Sequence, residues 1–398
     1  MFNPTFAVGI FTAFITLFEG SLLWAQVPTH KNVPGVVIAH SPQHNGKYIG
    51  SPSLAVMPDG SYIASHDFFG PQSNEHVRAA SRIYRSSNKG KAWELIAEID
   101  GAFWSKLFIH QSKLYLLGTD RHHGNAIIRR SDDGGHTWTE PTDASNGLLL
   151  AGEYHCAPMP VITYQGRLWR AMESAMGPVK QWGKRYGAMM LSAPIDADLL
   201  MADSWTASAI LYYDSTYLAG NFGGWLEGNA VVDPQGQLLN ILRVDDRSTL
   251  EEKAAIVKIS SDGEEAYFSE ASGFIPFSGG SKKFSIQYDS LSNRYWTIAN
   301  HIPEEVKAAN AGKSPSGIRN TQALFSSTDL THWTLHKVLL QHEDVSKHGF
   351  QYVDWLVEGK DIIFLSRTAF DDGIGGARNN HDANYLTFHR IKRFRKYK

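Results

Sequence analysis

From Ser53 onward the chain alternates short apolar runs with turn signals, and almost nothing in it repeats at the 3.6-residue period of a helix. Ser53–Met57 is followed by the turn Pro58-Asp59-Gly60 and a return run, Ser61–Ser65; a third run covers Ser81–Arg85 and a fourth Trp93–Ile99. The same unit starts again near Phe103, His155, Trp225, Lys283 and Phe350. Its tight turns then fall at Gln111-Ser112, Gln165-Gly166, Pro234-Gln235-Gly236, Asp289–Asn293 and Glu358-Gly359. Six such units predict an all-β chain folded as a single β-propeller. The sixth supplies three strands before Lys398, and Val36–Ala39 is the candidate for its fourth. That pairing would close the ring and hide two open sheet edges. Glu304–Gly317 is polar with no apolar period and reads as a long loop.

The N-terminus departs from this pattern. Phe6–Phe18 is a continuous apolar run followed by Leu22-Leu23-Trp24-Ala25, too short for a comfortable membrane span and typical of a secretory signal peptide. We expect residues 1–25 to be removed and 26–398 to form the propeller, secreted or periplasmic. Composition narrows the partners. The 38 Lys and Arg nearly balance the 40 Asp and Glu, which gives no pull toward nucleic acid or an acidic membrane. The 11 Trp, 16 Tyr and 20 Phe suit both blade cores and the stacking of sugar rings. One cysteine, Cys156, excludes an intrachain disulfide and a multi-thiolate zinc site. We expect a monomer with no cofactor, a metal ion being the open alternative.

One turn carries a sharper signal. Ser131-Asp132-Asp133-Gly134-Gly135-His136-Thr137-Trp138 matches the Asp-box of sialidase-like β-propellers. Asp133 is suited to fold back on the turn N–H groups, the glycines to accept positive φ, and Trp138 to pack beneath. Ser86–Trp93 keeps the frame with Asn88 for the acid, Ser326–Trp333 keeps the Ser and Trp, and Ser261-Asp262-Gly263 keeps the turn. The box predicts a blade and says nothing of an active site.

The topology sends tight turns to one face and longer loops to the other, and the second face is rich in chemistry. The ends of second strands bring His66-Asp67, Asp120–His123, Arg170 with Glu173, Arg243, Asn300-His301 and Arg367. The starts of first strands add His155, Trp225, Glu227, Lys283 and Gln351, and other loops add His40, His44, Tyr186, Arg319, His381 and Asp382. Any one of these suits a solvated loop. Their convergence suits an anionic glycan, since Arg grips carboxylates bidentately and His titrates near neutrality. A metal reading would draw on His66, Asp67, His122, His381 and Asp382, none at a recognised ligand spacing.

Tyr48–Ser53, Ala64–Gly70, Gly118–Asn125, Tyr154–Pro158 and Asn379–Tyr385 together resemble the secreted propeller enzymes of bacterial polysaccharide breakdown, a group that includes ulvan lyases and the hydrolases and lyases of rhamnosyl-α-1,4-glucuronate linkages. The resemblance implies seven blades rather than six. It also implies an enzyme that cleaves a linkage to a uronic acid in an acidic polysaccharide or oligosaccharide. Hydrolysis of a rhamnosyl-glucuronate bond is the leading expectation, β-elimination the alternative, and a non-catalytic glycan binder or a sialidase the others. The candidate catalytic residues are His44, His123 and His155. His122, Arg170, Tyr186, Trp225, Glu227, Arg243, Lys283, Arg367 and His381 are candidates for binding substrate. The lyases of this group use a pair of His, a Tyr and an Arg; His123, His155 and Arg243 are the candidates, and the neighbourhood that matches the tyrosine holds Trp225 and Glu227. True sialidases add a triad of Arg and a Tyr/Glu pair, and their early Phe-Arg-Ile-Pro motif is absent here.

Overall fold

The computed structural model describes residues 1–2, 27–246 and 248–397. The expected signal peptide therefore lies outside the described residues, apart from Met1 and Phe2. No described helix is long and apolar enough to cross a membrane.

The strands form six antiparallel units. Blade 1 comprises Ser53–Val56, Tyr62–Phe69, Ala80–Ser86 and Glu94–Asp100, with Tyr48–Ile49 extending it. Blade 2 comprises Phe103–His110, Lys113–Thr119, Gly124–Ser131 and the first part of Leu148–His155. The end of that strand passes into blade 3, where His155 lies opposite Glu173, and Ile162–Tyr164, Arg167–Ser174, Gly187–Pro194 and Thr206–Ala207 complete the unit. Blade 4 is Phe222–Val232, Leu238–Asp246, Lys253–Ile259 and Ala266–Tyr267. Blade 5 is Ser285–Asp289, Arg294–Asn300, Thr321–Ser327 and Thr334–Gln341. Blade 6 is Gly349–Glu358, Asp361–Ala369 and Tyr385–Ile391, and its outermost strand is Val36–His40 from the other end of the chain. The seven blades implied by the resemblance are not what these strands make; the six counted from turn spacing are. Glu304–Gly317 also differs from the expected loop. It holds a short helix, Glu304–Ala309, and a 3-10 turn, Pro315–Gly317. Pro303 at the N-cap position and two glutamates in the first turn favour that helix start, and six residues are too few to show an apolar period.

The sheets pack face to face around a ring, because each has two apolar faces to bury. One core joins blades 1 and 2 through Ile63, Ile83, Leu107 and Leu116, and the next joins 2 and 3 through Tyr115, Ile128 and Leu168. Trp169 and Met190 meet Trp225 and Leu242 between 3 and 4, and Ile241 meets Phe284 and Tyr295 between 4 and 5. Trp296 meets Trp355 and Phe364 between 5 and 6. Leu54, Tyr62 and Tyr84 meet Ile363, Leu386 and Phe388 between 6 and 1. Six blades with six interfaces leave no open end.

Two of the degraded boxes fold like the good one. Asp133 Oδ1 accepts from the N–H groups of His136 and Thr137 at 3.1 and 2.9 Å, and Trp138 Nε1 donates to Gly135 O at 3.0 Å. Asn88 Oδ1 accepts from Ala92 N at 2.9 Å and Trp93 Nε1 donates to Gly90 O at 3.2 Å. Asp329 Oδ1 accepts from Thr331 and His332 N–H groups at 2.8 Å, and Trp333 Nε1 donates to Leu330 O at 3.0 Å. The turn needs one acceptor and one indole; Ser86–Trp93 and Ser326–Trp333 keep both, while Ser261-Asp262-Gly263 keeps only the acceptor, Asp262 Oδ1 accepting from Glu264 N at 3.1 Å.

On the tight-turn face the inner strands surround a channel of about 740 Å³ lined by Leu54, Phe108, Ile162, Val231, Ile286 and Val357, one from each blade. Above it lies a polar plug. Lys106 Nζ sits 2.5 Å from Asp354 Oδ2, which also accepts from Leu54 N at 2.7 Å and Ser53 Oγ at 3.1 Å. This ties blades 1, 2 and 6 together at the axis.

The seam between blades 6 and 1 carries a charged clasp. Arg390 Nη1 meets Glu358 Oε2 at 2.7 Å and Asp361 Oδ2 at 3.0 Å, while Lys89 of blade 1 reaches Glu358 Oε1 at 2.9 Å. Burial opposes ionisation of Glu358, yet hydrogen bonds from Arg390, Lys89 and Tyr62 hold its carboxyl down to about 2. Its folded value lies below its unfolded one, so its contribution to stability is present above about pH 4.5 and is lost as pH falls toward 2. Glu358→Gln is expected to lower the melting temperature at pH 7 by roughly 1–2 °C, about 1 kcal/mol. The gap from wild type should close on acidification, in melts recorded from pH 7 to pH 2. A gap that is constant with pH would contradict the clasp.

Candidate active site

The polar loops of all six blades meet at one mouth, and the inner strands are bent there in a repeated way. Register breaks occur between Phe103 and Lys106, between Leu226 and Asn229, and between Gln351 and Asp354. Inside each break one non-glycine residue takes positive φ: Trp104 at 49°, Glu227 at 56° and Tyr352 at 54°. Each stands two residues before a buried polar anchor: Lys106, Asn229 or Asp354. A bulge of this kind re-aims a side chain, at a cost of about 1–3 kcal/mol per strained residue. The anchors offset part of it. Asn229 Oδ1 accepts from Ile286 N at 2.8 Å, and Asp67 Oδ2 accepts from Trp104 N at 2.5 Å. His123 also has positive φ, 51°.

One side of the mouth is aromatic and imidazole-rich. His155 Nδ1 lies 2.8 Å from Glu173 Oε2, and Glu173 Oε1 accepts from Gly228 N at 3.0 Å. The carboxylate fixes the imidazole with Nδ1–H as donor, which leaves Nε2 as the reactive nitrogen. The His155 ring packs 4.3 Å from Trp104 and 4.5 Å from Tyr186. His123 Nε2 and the Tyr186 hydroxyl share a hydrogen bond of 2.9 Å. Burial, with His122 and His155 adding to it, pushes His123 down to about 2, so at neutral pH it is a neutral hydrogen-bonding group and not a proton donor. Burial pushes the Tyr186 phenol well up. Cys156 beneath is pushed up to about 12 by burial and is no nucleophile.

The other side is a cluster of guanidiniums around Tyr352. Arg367 lies 4.7 Å and Arg319 5.9 Å from the Tyr352 ring centre. Arg243 sits 5.4 Å over Trp182 and pairs with Glu227 Oε2 at 3.0 Å. Burial disfavours charge on Arg243 and on Glu227, but each is the other's main electrostatic support, so Arg243 is held up and Glu227 down. Arg319 and Arg367 lack such a partner: among the described residues no carboxylate lies within 4 Å of either. Arg319 donates to Gln351 Oε1 at 2.6 Å, and Arg367 to His381 O at 2.6 Å. Burial lowers both, Arg319 to about 10, and the Nε atoms of Arg243 and Arg319 are buried without a hydrogen-bond partner among the described residues.

These positions sort the sequence candidates. His122, His123, His155, Tyr186, Glu227, Arg243, Arg367 and His381 come together at the mouth, with His123 and His155 rings 6.4 Å apart. Four do not. His44 lies on the 3-10 turn Gln43–Asn45 beside His40, which pairs with Asp372 at 3.0 Å, and no described contact joins it to His123. Arg170 is sealed below the mouth, bound to Ala157 O and to Ala171 O. Trp225 packs in the core of blades 3 and 4 with Phe222 and Phe268, its Nε1 donating to Leu211 O at 3.1 Å. Lys283 belongs to the axial plug, donating to Ser285 Oγ at 2.8 Å and to Val353 O. The five residues of the metal reading also separate. His66 is buried against Tyr84 and the Asp67 carbonyl, and His381 pairs with Asp382 at 2.8 Å on the blade 6 side. Tyr352 and Trp104 escaped the sequence reading. Their signal is the bulky residue two places before a lone Lys or Asp in an inner strand.

Solved structures share this architecture. An α-L-arabinanase of Penicillium chrysogenum complexed with arabinobiose superposes with a TM-score of 0.52 at 16% identity, over 90% of this chain and 97% of that one. An α-L-arabinofuranosidase of Fusarium graminearum in complex with an iminosugar inhibitor gives 0.55 at 11%, over 90% and 97%. The leech intramolecular trans-sialidase gives 0.51 at 13%, over 90% and 70%. The fold is that of the sialidase-like β-propellers. No protein-family model and no curated protein matches the chain. In this propeller Glu227 and Arg243 are both buried and each neutralises the other, so removing one charge strands its partner. Glu227→Gln is expected to destabilise the fold by about 3–5 kcal/mol in urea unfolding. A loss below about 1 kcal/mol would mean that Arg243 finds its counter-charge elsewhere.

Proposed function

We propose that this chain is a carbohydrate-active enzyme that hydrolyses the glycosidic bond of an acidic sugar. One observation carries the proposal: Arg319 and Arg367 are buried beside the Tyr352 ring with no carboxylate within 4 Å among the described residues. Two desolvated cations without counter-ions destabilise the resting protein, and a substrate carboxylate that pairs with them removes that cost. Arg243, fixed by Glu227, completes the clamp. The aromatic faces of Trp104 and Trp182 stand at the same mouth to take the sugar ring. Tyr352, a phenol among three guanidiniums, attacks the anomeric carbon as the bond to the leaving oxygen breaks, its phenolic proton passing to Glu227. His155, oriented by Glu173, passes a proton from Nε2 to the leaving oxygen, and water then releases the sugar from the tyrosine. That arabinanases and a trans-sialidase share the fold supports a glycan substrate by analogy.

Within this class a rhamnosyl-α-1,4-glucuronate linkage is the first substrate to try, on the resemblance of the mouth segments. A second reading, a sialidase, draws support from the grouping of Tyr352, Glu227 and three arginines. An elimination mechanism is the third. Incubation with gum arabic, ulvan, sialyllactose and neutral arabinan separates them. New reducing ends without ultraviolet absorbance from a uronate-rich glycan are expected. Unsaturated uronate would mark a lyase, free sialic acid would mark a sialidase, and no product from any acidic glycan would refute hydrolysis of an acidic sugar. Arg319→Ala and Arg367→Ala should each lower kcat/KM on the acidic substrate by about a hundredfold, ~3 kcal/mol. Tyr352→Phe should lower kcat by roughly a thousandfold with KM little changed.

A further inference from the structure

A second cluster lies on the rim of the mouth and shares His122 with it, where the loop after Tyr62–Phe69 of blade 1 meets the loop after Lys113–Thr119 of blade 2. Glu75, His76 and His122 each offer one donor atom there, and the three atoms lie within 4.8 Å of one another. Glu75 Oε1 is 3.3 Å from His76 Nε2, and the His76 and His122 rings are 4.6 Å apart. The proposed hydrolysis assigns no step to Glu75 or His76, and His122 stands at the rim with its ring against Trp104 and His123. We propose that Glu75, His76 and His122 bind a divalent transition-metal ion of the zinc class.

The donor set selects that class. Two imidazole nitrogens and one carboxylate oxygen suit zinc and its neighbours, whereas calcium and magnesium take six or more oxygens. Three protein ligands leave a fourth tetrahedral position open to water or a ligand. The groups behind the donors are already in place. Glu75 Oε2 accepts from Gly70 N and from Ser73 Oγ, both at 2.7 Å, which turns Oε1 toward the imidazoles. The His122 backbone N–H donates to Glu75 O at 2.6 Å, so the two loops are pinned together by backbone before any ion arrives. The His122 ring rests against Trp104 at 4.8 Å and His123 at 4.1 Å. Such partners orient ligands and raise affinity. The His76 side chain is 69% exposed, which gives an ion a path in from solvent. Bound there, the ion would lock the loop that carries His123 and so set one wall of the mouth.

Tag-free protein treated with a chelator and then titrated with zinc tests this by calorimetry and by metal analysis after dialysis. Binding of about one zinc per chain is expected, with a rise in melting temperature and no displacement by excess calcium or magnesium. His76→Ala, which changes an exposed side chain, and Glu75→Gln should each weaken zinc binding by roughly tenfold or more and abolish the thermal shift. Zinc far below one equivalent in the wild type, or equal affinity in wild type and His76→Ala, would overturn the proposal. These readouts do not involve sugar turnover, so they stand or fall apart from the hydrolase reading.

Discussion

The pairing of Val36–His40 with Tyr385–Ile391 closes the ring, and closure is the constraint on which the rest depends. A twisted sheet with two apolar faces is stable when both are covered, and in a ring each blade covers its two neighbours. The interface of blades 6 and 1 buries Leu54, Tyr62, Ile363, Leu365 and Phe388, each contributing roughly 1.5–3 kcal/mol. Losing that seam would expose the outer faces of two blades and an unpaired edge together. Val36–His40 and Tyr385–Ile391 are therefore joined by hydrogen bonds in the last blade, which leaves neither as an open edge there. The same closure brings six inner strands to a common axis, where the lysine and aspartate of the plug meet across blades 2 and 6.

That axis explains why the mouth has the chemistry it has. Inner strands running toward a narrow centre crowd their side chains, and the bulges at Trp104, Glu227 and Tyr352 relieve the crowding by turning one residue up into the opening. The anchors below them, Lys106, Asn229 and Asp354, hold the bent backbone through hydrogen bonds to neighbouring strands. Strain at the rim is thus supported from the core, and the catalytic candidates stand on the rigid part of the fold rather than on loop tips. The loops then add what the strands cannot: His123 and Tyr186 on one side, Arg319 and His381 on the other.

Charge in the mouth is unbalanced. Arg243 has Glu227, and His155 has Glu173, so these pairs are settled before any ligand arrives. Arg319 and Arg367 are held by carbonyl and amide oxygens, which position a guanidinium without neutralising it. Keeping two cations dry and unpaired costs the fold some stability. That cost is tolerable in a ring whose seam, plug and six interfaces carry the stability elsewhere.

The alternation of apolar runs and turns determined six blades, the strand that closes them and the face on which polar residues gather, because period and turn chemistry are local properties. The boxes were legible even when degraded, since their hydrogen bonds need one acceptor at a fixed offset and one indole. Tertiary structure alone decided which rim residues face the mouth. Lys283 and Arg243 both read as rim cations, yet one plugs the axis and the other faces the opening. Trp225 and Glu227 are two residues apart and an unbroken strand would put them on one face, but the bulge turns Glu227 into the mouth and leaves Trp225 in the core. A register break of one residue reverses inside and outside, and the hydrogen bonds that fix it come from strands dozens of residues away. Local sequence therefore names the ring, and long-range pairing assigns its chemistry.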